Sequence, residues 1–524
     1  MSTLRWADLV VMAIYMVAMV LIGLRFAKRQ TSTETYFVAR RSIPHWAMGV
    51  SIYAALISSI TFTAYPGSAY AGNWNELVPG FMVVAVLLLV GTVIIPFFRH
   101  AVGMSAYEYF GRRFGYGARA YSALAFIAGH FSKMGFVFYT LAIIVGGITG
   151  WNIYVVMMVT GVVTVFYTVI GGLEAVIWTD VIQGFVKCIG IFVCLGFLLY
   201  EVPGGPSAAF RLAWDHHKFS LGSVSWDLSR NGNVWIMAIY GFFWYLQKYT
   251  ADQTLVQRYL VAKSDREAFK GVAFGALLCV PAWALFMLIG TLVWAYYQLA
   301  GGAPALHKPD EFFPYFLATK VPAGFAGLFM AALVASAMSM LSSDLNCLSV
   351  VVVEDYYRKL RPDSTDRQRL AVGKWSVAVC GAISVVVAVV IAIYSERVLS
   401  FYFTVTSIIA GGLAGLFLLA FLSPRANRQG AYVGIAACLL FTSWATLTSG
   451  KNPVCDLGWY NFTLPTVLIG GIGHVILLAV GYVSSRFFAA GDGSRSLTLW
   501  GWLERRGLPQ TETLTAATAT GPKA

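Results

Sequence analysis

Charge is what this sequence has least of. Asp, Glu, Lys and Arg make up 12% of its 524 residues, about half the share found in soluble domains. That is too little polar side chain to coat a water-soluble body of this length. Cysteine is scarce as well: there are seven, and Cys188, Cys194, Cys279, Cys347, Cys380 and Cys438 lie inside apolar runs, with only Cys455 in a loop. Such placement gives neither a disulfide framework nor metal-ligand spacing. No phosphate-binding glycine loop, catalytic triad or metalloprotease motif occurs, so enzyme chemistry has no foothold. The first apolar run lacks a basic leader and a small-residue cleavage site, and is read as a retained helix.

What the chain has in abundance is apolar sequence, 58% of all residues, with a mean hydropathy of +0.70. Runs long enough to cross a bilayer fall at about 7–25, 46–71, 76–98, 118–147, 151–170, 176–200, 234–251, 270–297, 321–351, 372–394, 398–422, 430–448 and 463–485. The expectation is an all-α integral membrane protein of about thirteen spans over residues 1–488. A cytoplasmic tail over 489–524 follows, largely disordered and Thr- and Ala-rich from Thr511 to Ala524. The net charge of +13 does not indicate nucleic acid, because the basic residues sit in short segments between apolar runs. Arg25, Lys28, Arg29, Arg40 and Arg41 follow the first run, and Arg99, Arg112, Arg113 and Arg119 the third. Arg258, Lys263, Arg266 and Lys270 form a later cluster, then Arg358 to Arg369, then Arg425 and Arg428. All fall on one side if the N-terminus is outside and the C-terminus cytoplasmic, as expected for a multi-pass protein of the inner membrane.

Charges inside the runs are the informative residues, since each costs at least ~2.5 kcal/mol at a bilayer centre. They are Lys133, Asp180, Lys187, Asp252 and Asp344, with Glu76 near a helix end. Any one of them fits a structural ion pair, but several together argue for a polar internal chamber. The run Ser58-Ser59-Ile60-Thr61-Phe62-Thr63 leads into Pro66 and Gly67, a composition that breaks a helix and frees carbonyls. Ser336, Ser339 and Ser343 share one helical face, with Ser342 beside them. Their hydroxyls suit a hard cation such as sodium, or simply allow tight helix packing. Of the seven histidines only His130 lies well inside a span, where packing is its simplest role.

The segment from Tyr167 to Gln183, reading YTVIGGLEAVIWTDVIQ, resembles the signature of the sodium:solute symporter family. Ser58 to Pro66, Asp252-Gln253 through Tyr259, and Ser339 to Asn346 agree in order, and the resemblance covers about residues 7–485. It implies a leucine-transporter-type fold of two inverted five-helix repeats, about 46–200 and 234–422, with one extra helix before and two after. It implies ion-coupled symport by alternating access, with sodium as the coupling ion, no covalent cofactor, and a small polar solute bound beside breaks in the second and seventh helices. Sodium would be held by the carbonyls of Ala54, Ile57 and Ser336 with the Ser339 hydroxyl. The second hydroxyl usual in the family is replaced by Met340. A further sodium site of the sialic-acid branch would use Asp180, Ser339, Ser342 and Ser343.

For the solute, Lys133 stands where that branch places a carboxylate-clamping arginine, and Ser58 and Thr61 match its substrate-contacting hydroxyls. Asp252 and Gln253 complete the expected set with Glu76, although Leu56, Glu76 and Gly80 depart from the branch's pattern. A sugar or sugar acid is therefore expected, with a monocarboxylate or other organic acid as the alternative. Lys187 replaces a residue that is usually apolar, which opens a proton-coupled or sodium-independent alternative in which Lys187, with Asp344, acts as the coupling switch. A sensor, a channel and a membrane-embedded enzyme are the rival classes. Here the tail is too short for a kinase, and the chain lacks catalytic pairs.

Overall fold

The computed structural model describes residues 6–227, 232–306, 308–322, 324–393, 411–450, 453–489 and 494–506. Part of the expected 398–422 span and all of Thr511–Ala524 lie outside them. Among the described residues the fold is helical without a named strand. The main helices are α1 Trp6–Ala27, α2 His45–Leu56, α3 Thr61–Ala71, α4 Leu77–Ala101, α5 Tyr116–Thr149 and α6 Ile153–Glu201. They continue with α7 Val234–Ala251, α8 Gln253–Val261, α9 Asp265–Leu299, α10 Phe325–Val351, α11 Asp366–Ile393, α12 Leu413–Leu422, α13 Arg428–Thr448 and α14 Leu468–Ser484. Among the described residues, eight helices are long and apolar enough to cross a membrane, or nine if one bent pair counts as a span. Their outer faces carry stripes such as Val10, Ile14, Val17 and Leu21 on α1 and Phe185, Ile189 and Phe192 on α6, which water would not tolerate over such an area. In α10, by contrast, 89% of the apolar window is buried, against 22% in α1. The helix carrying the serine face is thus the central post.

Three interruptions of the helices bear on the site. Between α2 and α3 the axis bends by 58°, and the break falls at Ile57–Ile60 rather than at Pro66, which lies inside α3. Hydroxyl competition explains the shift. Ser58 N–H donates to Thr61 Oγ1 at 3.2 Å instead of to the carbonyl one turn back, as Ser and Thr do when they divert backbone from a helix. Between α7 and α8 only Asp252 is extended (φ −102°, ψ 116°), and its side chain caps α8 by accepting from Thr254 N–H at 2.9 Å. A third interruption is one residue wide. In α6, Gly172 takes φ +58°, and a Cβ there would sit 2.7 Å from the Tyr36 ring, so only glycine fits.

Outside the membrane-crossing helices, Lys218 Nζ donates to the carbonyls of Ala69, Tyr70 and Gly72 at 3.2, 2.7 and 2.9 Å, closing the C-terminus of α3. Lys218 follows the short helix Gly205–Asp215. The expected tail needs a correction, because residues 494–506 are folded. The helix Leu499–Arg506 returns to the bundle, where Trp500 Nε1 donates to Leu422 O at 3.1 Å and Trp502 meets the Phe97 ring edge-on.

The tightest contact between α3 and α9 is at Gly290, where a Cβ would lie 2.1 Å from Pro66 O. Backbone cannot yield as a side-chain tip can. Gly290→Ala is therefore expected to lower the unfolding midpoint of the purified protein by several degrees. Gly147→Ala, with nothing within 4 Å of the new methyl, should leave it unchanged or raise it.

Candidate functional site

The carbonyls at the end of α2 set the first requirement. Ile57 N–H still bonds Tyr53 O at 3.0 Å, but Ser58 N–H has turned to Thr61, so Ala54 O has lost its helical donor. It lies at the negative end of a helix dipole inside the bundle, where a cation is the favoured partner. The cation present is Lys187 on α6. Its Nζ donates to Ala54 O at 2.5 Å, Ile57 O at 3.0 Å and Ser339 Oγ at 2.7 Å. Ser336 Oγ also donates to Ile57 O, at 2.6 Å, and Ser339 Oγ donates to Ala54 O, at 2.9 Å. Four residues expected as sodium ligands, Ala54, Ile57, Ser336 and Ser339, are brought together. They surround an ammonium that is completely buried. A sodium ion on the same oxygens would crowd Nζ, and like charges even about 4 Å apart repel by about 4 kcal/mol at an effective dielectric of about 20. With this rotamer the set does not fit sodium.

Asp180 lies seven residues before Lys187 on α6, about 10 Å along the axis. Its Oδ2 accepts from Ser51 Oγ at 2.6 Å and from Arg258 Nη2 at 3.2 Å, with Ser343 Oγ at 3.5 Å. Arg258 also reaches Ser343 Oγ at 2.7 Å, Ser51 Oγ at 3.1 Å and Thr254 O at 2.6 Å. Arg258 was expected in a cytoplasmic basic loop. It is instead 1% exposed and on α8, and only its place six residues after an intramembrane aspartate could have signalled this. Asp180 Oδ1 is buried without a hydrogen-bond partner. An ionised oxygen left bare in such surroundings is a feature that a small hard cation satisfies, so Asp180, with the Ser343 hydroxyl beside its other oxygen, fits sodium. Ser342 Oγ meanwhile donates to Ser339 O at 3.2 Å.

The third cluster joins the α7–α8 break to α5 and α10. Lys133 Nζ lies 2.9 and 2.8 Å from the two oxygens of Asp344. His130 bridges carboxylates, with Nδ1 3.0 Å from Asp344 Oδ1 and Nε2 3.6 Å from Asp252 Oδ2. Lys248 Nζ completes the chain, 2.5 Å from Asp252 Oδ2. Lys248 and the bridging role of His130 were not legible in the sequence, because a His between two carboxylates from other helices leaves no local pattern. Within this cluster Lys133 is the most open side chain, 28% exposed against 2% for Asp344. Ser58 and Thr61 sit at the α2–α3 break, both buried, next to Ser59, whose Oγ has no partner. Glu76 stands exposed at the start of α4. Gln253 is fully engaged with backbone, accepting from Ala106 N–H at 2.8 Å and donating to Met104 O at 2.7 Å. Among the described residues no group of three or more His, Cys, Asp or Glu is arranged for a transition metal.

Residues 36–437 match the sodium:solute symporter family. The chain belongs to that family. The match takes in the helix breaks and all three clusters. The sodium/sialic acid symporter NanT of Aliivibrio fischeri is 31% identical over 479 residues, covering 90% of this chain and 92% of that protein. The sodium/sialic acid symporter SiaT of Proteus mirabilis is likewise 31% identical, covering 91% and 94%. A solved Na+-coupled sialic acid symporter in a substrate-bound, outward-open state superposes with a TM-score of 0.85 at 30% identity, covering 93% of this chain and 98% of that one. Mhp1, a nucleobase-cation-symport-1 family transporter, shares the fold alone, with a TM-score of 0.51 at 15% identity. The resemblance drawn from the four motifs is thus met, and as a member of this family the chain is an ion-coupled solute symporter.

The pair Arg258–Asp180 is closed to water on both sides, and removing one partner of such a pair costs about 3–5 kcal/mol. Arg258→Met should lower the unfolding midpoint strongly. Arg258→Met/Asp180→Asn should lower it by clearly less than the two single changes together. Additive losses in a thermal-unfolding cycle would mean that the two side chains do not act as a pair.

Proposed function

We propose that this chain carries a sugar acid of the sialic-acid class into the cell together with sodium, by alternating access about the α2–α3 and α7–α8 breaks. The supporting observation is the open flank of Lys133: a lysine ion-paired to a buried aspartate, yet 28% exposed, and linked through Asp344 and His130 to Asp252 at the α7–α8 break. A solute carboxylate arriving there meets a cation already held in place, with the Ser58 and Thr61 hydroxyls on the neighbouring break to accept or donate to sugar hydroxyls. An ammonium is a less planar clamp for a carboxylate than a guanidinium, so recognition leans on the hydroxyl contacts and on Asp252 as well. The two relatives named for sodium and sialic acid, matching over nine-tenths of the chain, support both the solute class and the ion. Sodium is assigned to the Asp180, Ser342 and Ser343 set, where Oδ1 lacks a partner.

We further propose thirteen crossings in two inverted five-helix repeats, about 46–200 and 234–422, with one helix before and two after. A helix of 49 residues is about 74 Å long, more than twice the hydrocarbon thickness, so α6 is read as two crossings meeting near Gly172. The paired breaks, one in each repeat, support the inverted symmetry. With the N-terminus outside, the basic clusters lie in the cytoplasm of the multi-pass inner-membrane protein.

Uptake of radiolabelled sialic acid into proteoliposomes, with and without a sodium gradient, tests the reading. Lys133→Ala should lower uptake about tenfold or more, the loss expected for one charge-assisted hydrogen bond, whereas Lys133→Arg should retain most of it. Normal transport by Lys133→Ala would remove the carboxylate clamp. A thermal-shift screen of sugar acids, neutral sugars and monocarboxylates reports the solute class independently, since a ligand that binds the folded state raises the midpoint with its concentration.

A further inference from the structure

We propose that the Lys187 ammonium is a resident cation that replaces sodium at the α2–α3 break, so that this position takes no ion from solution. The inference rests on the reading above and narrows it: sodium coupling is left to the Asp180 set alone.

Three observations carry it. First, the valence of the ammonium is used up. Its three N–H groups meet three acceptors, Ala54 O, Ile57 O and Ser339 Oγ, between 2.5 and 3.0 Å, and a fourth direction is taken by its own stem. Second, the surrounding hydroxyls are already satisfied. Ser336 Oγ and Ser339 Oγ both have partners, whereas Asp180 Oδ1 has none. The bare anionic oxygen therefore sits at Asp180, whereas the atom without a partner at the break, Ser59 Oγ, is a neutral hydroxyl. Position 340, one step beyond Ser339, is Met and supplies no further hard ligand. Third, Lys187 is anchored. It is 0% exposed on an unbroken stretch of α6 well past Gly172, so it does not snorkel toward a membrane surface. The site is built around its head group.

The arrangement has a physical logic. A broken helix needs positive charge at its bare carbonyls whether or not an ion is present. A tethered ammonium supplies that charge at unlimited effective concentration, and it ties α2, α6 and α10 together permanently. Sodium would tie them only when bound.

Equilibrium binding of radioactive sodium to the purified full-length protein, at fixed ionic strength with choline as the balancing cation, tests the proposal. The wild type is expected to bind no more than one sodium per chain, and two would overturn it. Lys187→Met keeps the length of the side chain and removes its charge. This variant is expected to bind one more sodium per chain than the wild type, and its unfolding midpoint should become more sodium-dependent. Equal stoichiometry in the two proteins would overturn the proposal. If the variant fails to fold, the wild-type stoichiometry still decides. Ion counting does not depend on which solute is carried, so failure of sialic acid uptake would count against the function proposed above and leave this result standing.

Discussion

A helix that stops inside a bundle exposes carbonyls to a place without water, and the rest of this structure is arranged around that problem. The end of α2 presents Ala54 O and Ile57 O to the middle of the molecule. What answers them is a lysine from α6 and two serines from α10. The three helices are drawn together by the same few hydrogen bonds that make the break affordable. The second interruption is handled differently. At Asp252 a single extended residue turns the chain, its carboxylate caps the helix that follows, and Lys248 and His130 hold that carboxylate.

The three ionic groups are linked through shared helices. Lys187 and Asp180 lie two turns apart on α6; Ser339, Ser343 and Asp344 follow one another on α10; Arg258 and Asp252 share α8 and its cap. A displacement of α8 therefore reaches Asp180 through the Arg258 guanidinium, and reaches Asp344 through Asp252 and His130. The proposed ion site and the proposed solute site are tied through α8 and its buried salt bridges, which tolerate little misalignment before leaving a charge uncompensated. That is the kind of connection a coupled carrier requires, because each ligand must alter the free energy of the state the other prefers.

Much of the architecture was readable in advance because hydrocarbon is a strict solvent. Apolar runs at 7–25, 234–251 and 430–448 sit within a few residues of α1, α7 and α13, since the bilayer sets helix length directly. The serine face of α10 and the charges at positions 133, 180, 187 and 344 stood out for the same reason. What did not show is pairing across the chain. Arg258 looked like one more cytoplasmic basic residue because its neighbours Lys263, Arg266 and Lys270 set the local pattern, and only the fold turns it inward. The run Ser58–Thr63 with Pro66 and Gly67 marked a break but did not fix the residue at which it falls. The hydroxyl of Thr61 capturing Ser58 N–H is a contact of two weakly coded residues. The docked helix Leu499–Arg506 was missed because its apolar anchors, Trp500 and Trp502, are few and surrounded by charge.

The covalent attachment of Lys187 has an electrical consequence. An ion that rides with the solute crosses the membrane field, and each elementary charge so moved draws about 2.3 kcal/mol from every 100 mV of potential. A positive charge on a side chain stays behind when the cargo leaves, so it stabilises the broken helix yet adds nothing to the current or to the gradient the carrier can sustain. Per turnover, the voltage acts here only on what is free to depart.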